Sequence, residues 1–182
     1  VFPSREKARR AIMAAWISSG GRPLDKPGLL VDPGAVFEVK TGEKFVGRGG
    51  LKLEEALKEF NIDVQDRVAL DVGASTGGFT DCLLQAGAAR VHAIDVGKGQ
   101  LDWKLRQDPR VIVKEGLNGR HLVREDIGES VDVCVADVSF ISLTLILPAV
   151  FALLKSNADM ITLIKPQFEL TPDKVGRGGV VR

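Results

Sequence analysis

Long apolar runs are missing from this sequence. The richest stretch, Leu143 to Leu154, holds a proline and falls short of the ~20 residues that cross a bilayer, so no membrane partner is expected. No signal-peptide pattern opens the chain. Cysteine is scarce: Cys82 and Cys134 are the only two, they lack metal-ligand spacing, and each sits in an apolar element. Both read as buried free thiols of a cytoplasmic protein, and no metal site is expected. Net charge is nearly absent too, +1 from 25 basic and 24 acidic residues. That excludes a global electrostatic field, so any affinity for nucleic acid has to come from local clusters. No internal repeat or low-complexity tract interrupts the chain.

What is present falls into two regimes. The 182 residues suffice for one full domain plus a small appendage. Residues 1–44 are basic, then rich in glycine and proline, with little apolar periodicity. From Val68 onward, short β-branched runs alternate with helical patterns, which predicts a mostly parallel α/β sheet with helices on both faces. Strands are expected at Val68–Val72, Val91–Asp95, Val111–Lys114, Val131–Ala136 and Met160–Ile164. Helices are expected at Thr80–Ala86, Gln100–Arg106 and Leu143–Leu154, and the stretch from Leu122 to Gly128 fits either type. A further helix bridges the regimes at Gly49–Phe60, with Leu51, Leu53, Ala56, Leu57 and Phe60 near one face. Ser4 looks like a helix cap, and Val175 to Arg182 is glycine-rich and loop-like. The expectation is a piece trimmed at both ends, with a second domain at 45–182 that lacks its C-terminal strands.

One loop carries the strongest chemical signal. Asp71-Val-Gly73-Ala74-Ser75-Thr76-Gly77-Gly78-Phe79-Thr80 follows an apolar strand and precedes a helix. Glycines at a strand end let backbone approach a ligand, and the following helix offers free N–H groups. An ordinary strand-to-helix turn is the plainer reading. A dinucleotide loop wants G-x-G-x-x-G, whereas here the glycines are Gly73, Gly77 and Gly78, with Asp71 ahead of them. An acidic residue there suits a ligand with an amino group and no pyrophosphate. Asp95 ends the next strand about twenty residues on, where a carboxylate accepts ribose hydroxyls. An adenosine carrying an amino acid fits both, which favours S-adenosyl-L-methionine over NAD.

Four motifs, Gly47-Arg48-Gly-Gly-Leu-Lys52-Leu, Asp71 to Thr80, Ala136-Asp137-Val-Ser-Phe-Ile-Ser142 and Ile164-Lys165-Pro-Gln-Phe168, together resemble the TlyA/hemolysin A family of ribosomal RNA 2′-O-methyltransferases. The resemblance implies a Rossmann-like, FtsJ-like catalytic domain behind an S4-like α+β RNA-binding domain, here partial. It also implies ribosomal RNA or a ribosomal subunit as partner. Cofactor contacts are implied at Gly73, Ala74, Ser75, Thr76, Gly77, Asp95, Val96 and Asn118; Asp71, Gly78, Phe79 and Asp137 complete the expected set.

The resemblance further implies a Lys-Asp-Lys-Glu catalytic set, of which Lys52, Asp137 and Lys165 map directly. Lysine near a ribose hydroxyl orients it, stabilises developing alkoxide charge, or takes its proton. Lys165 is the residue expected to activate the hydroxyl, Asp137 to tune that lysine, and Lys52 to steady the pair or a target phosphate. Each has a plainer reading: Asp137 as a helix cap, Lys165 as a solvated strand end, Lys52 as a surface lysine. The family's glutamate lies on a later strand that the chain does not reach, and Glu169 does not match its position.

Arg5, Lys7, Arg9 and Arg10 crowd one short helix that resembles the RNA-facing helix of an S4 domain, and Arg48 adds a cation further on. Clustered cations bind phosphates without sequence choice, although a solvated charged face is the usual meaning of such a run. Lys26-Pro-Gly28 and the strand-like Val36–Val39 continue the S4 remnant, while Ser18–Gly21 stands where an apolar strand pair is expected. Phe2 and Trp16 suit base stacking or a core. Three rivals remain open: a small-molecule methyltransferase, a non-catalytic RNA-binding scaffold, and membrane lysis, which lacks a supporting helix.

Overall fold

The computed structural model describes residues 2, 4–13, 15–39 and 44–181; the side chains of Lys7, Arg10 and Pro172 lie outside that description. Two compact units divide between Lys44 and Phe45. The first has helix α1 (Arg5–Met13) and three short strands, β1 (Ile17–Ser19), β2 (Arg22–Leu24) and β3 (Phe37–Val39), in the antiparallel order β2-β1-β3. The polar Ser18–Gly21 segment does form a strand pair. Gly20 and Gly21 take φ of 56° and 74°, the mirror-image turn whose twist suits a two-residue hairpin. Ser18 replaces apolar burial with a cross-strand bond, its Oγ donating to Glu38 Oε2 at 3.2 Å. Among the described residues of this unit, Ala11 and Ile17 are the buried apolar ones, and Trp16 is half-buried.

The second unit runs α2 (Gly49–Glu59), β4 (Val68–Val72), α3 (Gly78–Gln85), β5 (Arg90–Asp95), α4 (Trp103–Arg106), β6 (Val111–Glu115), α5 (Arg124–Ile127), β7 (Val131–Ala136), α6 (Leu147–Phe151), β8 (Leu154–Thr162) and α7 (Pro166–Glu169). The sheet order is β6-β5-β4-β7-β8 and every neighbouring pair is parallel. Alternate side chains feed two cores. Ala69, Val91, Ala93, Val133 and Val135 pack with Leu53, Phe79, Leu83 and Leu105 of α2, α3 and α4. Leu70, Val72, Ile94, Cys134 and Ala136 face Ile127, Ile146 and Val150 on the opposite side. Strands buried on both faces read as continuous apolar runs, which is why their positions were plain in the sequence. Both cysteines are buried and neither is part of a disulfide. No helix among the described residues is long and apolar enough to cross a membrane.

Several elements differ from expectation. The last strand starts at Leu154, not Met160, and ends at Thr162, not Ile164. Its first half is an exposed sheet edge at Lys155, Ser156 and Asn157, with a register irregularity opposite Val131–Val133, so no apolar pattern marks it. The helix expected over Leu143–Leu154 shrinks to a 3₁₀ turn at Leu143–Leu145 and the five-residue α6, started by Pro148. The helix expected at Gln100–Arg106 begins at Trp103, where Asp102 caps it by accepting from the Lys104 N–H at 2.8 Å. Leu51 of α2 and Phe60, its C-cap residue, are exposed, and Leu53 and Leu57 are the apolar side chains that α2 buries.

β4 also carries an ionisable group into the core. Asp71 is fully buried, Thr80 Oγ1 of α3 donates to its Oδ2 at 2.6 Å, and its Oδ1 has no hydrogen-bond partner among the described residues. Burial pushes its carboxyl from an ordinary 3.8 up to about 7, against the Thr80 hydrogen bonds and with help from the charges of Asp137 and Asp95. The folded chain therefore keeps a proton that the unfolded chain releases. The stability from that proton is complete below about 3.8 and is lost as pH rises through about 7. Relative to Asp71→Asn, the wild type should lose on the order of 3 kcal/mol between about pH 5 and about pH 8. Thermal melts of both proteins check this, and parallel Tm curves across that range would refute it.

Candidate active site

The carboxyl ends of β4, β5 and β7 meet around a cavity of about 520 Å³. β4 ends at Val72, and the backbone turns at once: the N–H groups of Gly73 and Ala74 both donate to the Ile94 carbonyl, at 2.9 and 3.0 Å. Gly73 has φ 84°, and a Cβ there would stand 3.2 Å from the Asp137 carbonyl oxygen. Gly77, at φ 97°, has Leu105 Cδ1 2.2 Å from where its Cβ would be. Both glycines answer the packing of the chain against itself as well as backbone strain. Asp95 closes the loop from the other side. Its Oδ2 accepts from the Ser75 N–H at 2.8 Å and its Oδ1 from the Gly97 N–H at 2.7 Å, which leaves each oxygen a lone pair for another donor.

Gly73, Ser75, Asp95, Val96, Asn118 and Asp137 line this cavity, over an apolar floor of Val72, Ile94, Leu117 and Ile146. Asn118 is held by its own turn, its Oδ1 accepting from the Arg120 N–H at 3.0 Å. Other expected contacts lie elsewhere. Asp71 stands behind the loop on the α3 side, and Ala74 and Phe79 are buried in the core. Thr76, Gly77 and Gly78 do not line the cavity; Gly78 packs against α2, where its Cβ would be 3.0 Å from the Gly50 nitrogen.

Asp137 links the cavity to two lysines. Lys165 Nζ lies 2.6 Å from Asp137 Oδ1 and donates to Ser139 Oγ at 2.8 Å, while Lys52 Nζ is 3.9 Å from Asp137 Oδ2. Lys165 follows β8 and is turned by Pro166, which starts α7. Lys52 reaches the same edge because the start of α2 lies close against the start of α3. A Cβ on Gly78 would stand 3.0 Å from the Gly50 nitrogen, and one on Gly47 would be 2.9 Å from Thr76 Oγ1. The three lysine and aspartate positions picked out in the sequence are thus brought together.

Sequence reasoning missed Gln100, Ser139 and Phe140 at this cavity. Phe140 is 90% exposed with φ 64°, and its ring lies 5.1 Å from that of Phe168. A left-handed backbone is an outlier for so bulky a residue, and strain of this kind gathers at functional sites. No residue pattern announces a positive φ in phenylalanine.

In the first unit, Arg5 and Arg9 are exposed and border a groove of about 690 Å³ with Ile12, Pro27 and Gly28. The side chains of Lys7 and Arg10 lie outside the described residues. Arg48, in the second unit, is exposed at the start of α2.

Comparison with known proteins places this arrangement. The chain is 50% identical over 98% of its length to YqxC of Bacillus subtilis, named as an rRNA methyltransferase, and covers 64% of that protein. It is 49% identical, again over 98% of its length, to the 16S/23S rRNA (cytidine-2′-O)-methyltransferase TlyA of Mycobacterium tuberculosis, covering 67% of it. A solved structure named as a hemolysin, from Streptococcus thermophilus, superposes on all of the chain with a TM-score of 0.77 at 46% identity, the chain covering 67% of it. The chain thus spans about two thirds of the length of these relatives. Residues 45–182, which hold the whole parallel sheet and the Lys52, Asp137 and Lys165 group, match the model of the FtsJ-like methyltransferases, and to that family the chain belongs.

Proposed function

We propose that the chain methylates a ribose 2′-hydroxyl of ribosomal RNA with S-adenosylmethionine as donor. The observation that carries this reading is the 2.6 Å Lys165–Asp137 pair, whose aspartate lines the cavity together with Ser139, the lysine's other partner. The cavity suits the donor: Asp95 keeps lone pairs for two ribose hydroxyls, the floor is apolar, and Gly73 brings backbone to the opening. Gly73, Ser75, Asp95, Val96, Asn118 and Asp137 would hold the cofactor, which when bound supplies an activated methyl group.

Methyl transfer between positioned partners asks the protein mainly for orientation and for stabilisation of charge. Lys165 is fixed by Asp137 and Ser139; its remaining ammonium hydrogen would orient the acceptor hydroxyl and stabilise negative charge as it grows. Lys52 is more exposed and more distant, and steadies the aspartate or a target phosphate. Phe140 offers an exposed ring at the same cavity for the acceptor's base. Arg5 and Arg9, with Lys7, Arg10 and Arg48, supply phosphate contacts, in keeping with an S4-like first unit. The names of the rRNA methyltransferase relatives support an RNA substrate.

Two measurements test this reading. Replacing Arg5 and Arg9 together by alanine should flatten the salt dependence of RNA binding, by a slope of about 1.5 if each contacts one phosphate. An unchanged slope would remove both from the RNA surface. Lys165→Ala should leave folding and calorimetric cofactor affinity nearly intact while methyl transfer to ribosomal subunits falls at least ~10²-fold. Lys165→Arg should not restore full activity, because its planar guanidinium differs in shape and cannot act as a base. Wild-type turnover in Lys165→Ala would end the role assigned to that lysine.

A further inference from the structure

Glu169 closes α7, one helical turn after Lys165, yet its carboxylate turns away from the lysine. Its Oε2 accepts from Ser142 Oγ at 2.5 Å and its Oε1 from the Leu143 N–H at 2.9 Å, both on the segment that follows Asp137. Because the single hydroxyl proton of Ser142 goes to Glu169, Thr144 is the donor in the 2.7 Å contact between the two hydroxyls. The Thr144 N–H also donates to Ser142 Oγ, at 3.2 Å. A directed chain of hydrogen bonds therefore ends on the Glu169 carboxylate.

The place of this clamp matters. Pairing of β7 with β8 ends at Ala136–Thr162, and the last rung beyond it is the Leu163 N–H on the Ala136 carbonyl. Past that point the segments bearing Asp137 and Lys165 leave the sheet. Glu169 joins them again, so that the two segments are tied at both ends, by Lys165 to Asp137 and by Glu169 to Ser142 and Leu143. The two ties also frame the Phe140–Phe168 contact.

We propose that Glu169 is a positioning residue for methyl transfer, holding the two loops so that Lys165 stands against Asp137, and acting only through that lysine. This rests on the catalytic role given to Lys165 above. A carboxylate fits because it meets two donors at once. An amide at 169 still accepts from Leu143, and the hydroxyl chain reverses to accept from its NH₂, so glutamine preserves the clamp.

The test measures kcat and KM for transfer to ribosomal subunits, and cofactor affinity by calorimetry, for Glu169→Ala and Glu169→Gln, each alone and with Lys165→Ala. Glu169→Ala should lower kcat about 10-fold or more, since misplacement by about 1 Å costs up to ~10²-fold, with cofactor affinity and KM close to wild type. Glu169→Gln should recover most of the rate. Beside Lys165→Ala, Glu169→Ala should cost nothing further. An equal loss in both backgrounds, or wild-type kcat in Glu169→Ala, overturns the proposal. If Lys165→Ala is slow but Glu169→Ala is not, only the clamp fails; if Lys165→Ala turns over normally, the catalytic reading fails first and the clamp with it. Should Glu169→Ala not fold, Ser142→Ala removes one of the two bonds and gives the same readout at smaller size.

Discussion

The site depends on hydrogen bonding that carries the parallel ladder past the ends of its strands. Ile94 offers its carbonyl to Gly73 and Ala74, Val72 offers its own to the Asp137 N–H at 3.3 Å, and Ala136 receives Leu163. Each bond fixes the start of one loop against the end of a neighbouring strand. Asp95, Gly73, Asp137 and Lys165 are thereby set along one edge before any side-chain contact is made. In a parallel sheet every strand delivers its chain to the same edge, and the order reverses on either side of β4, which opens a crevice there. The cavity lies in that crevice.

Side-chain ion pairs then adjust what the backbone has set. The Lys52–Asp137 contact is long, and the lysine side chain is 56% exposed, so the pair contributes little energy. Packing, not charge, brings Lys52 to the edge. Asp81 of α3, almost wholly buried, accepts the Val46 N–H at 2.9 Å, and Gly47, Gly50 and Gly78 let α2 and α3 touch backbone to backbone. Lys165–Asp137 is shorter and better shielded, with Ser139 as a further partner, and the Glu169 clamp restrains both loops around it. Lys52 is therefore held by its helix, and Lys165 by its neighbours.

Much of this was legible because burial on both faces writes itself into composition. The expected bounds of β4 and β7 coincide with the observed ones, and motifs at strand ends named Gly73 after β4, Asp95 on β5, Asp137 after β7 and Lys165 after β8. Elements whose determinants are local polar contacts or solvent were not legible. β8 begins along an exposed edge with no alternation, and α6 is cut short by a 3₁₀ turn. Which face Asp71 takes was not legible from the motif: side chains alternate along a strand, and it shares the α3 side with Ala69. The positive φ of Phe140 and the bond from Ser142 to Glu169 depend on residues far apart in the chain, which no local pattern encodes.

On the proposed function, the lysine and aspartate edge serves a ribose hydroxyl. Ribosomal subunits incubated with the protein and S-adenosylmethionine carrying a labelled methyl group, then digested to nucleosides and separated, test it most directly. The label should appear in a 2′-O-methylated nucleoside, and in the intact RNA the phosphodiester 3′ to that nucleotide should resist alkali. Label found on a base, or in protein with none in RNA, would contradict it.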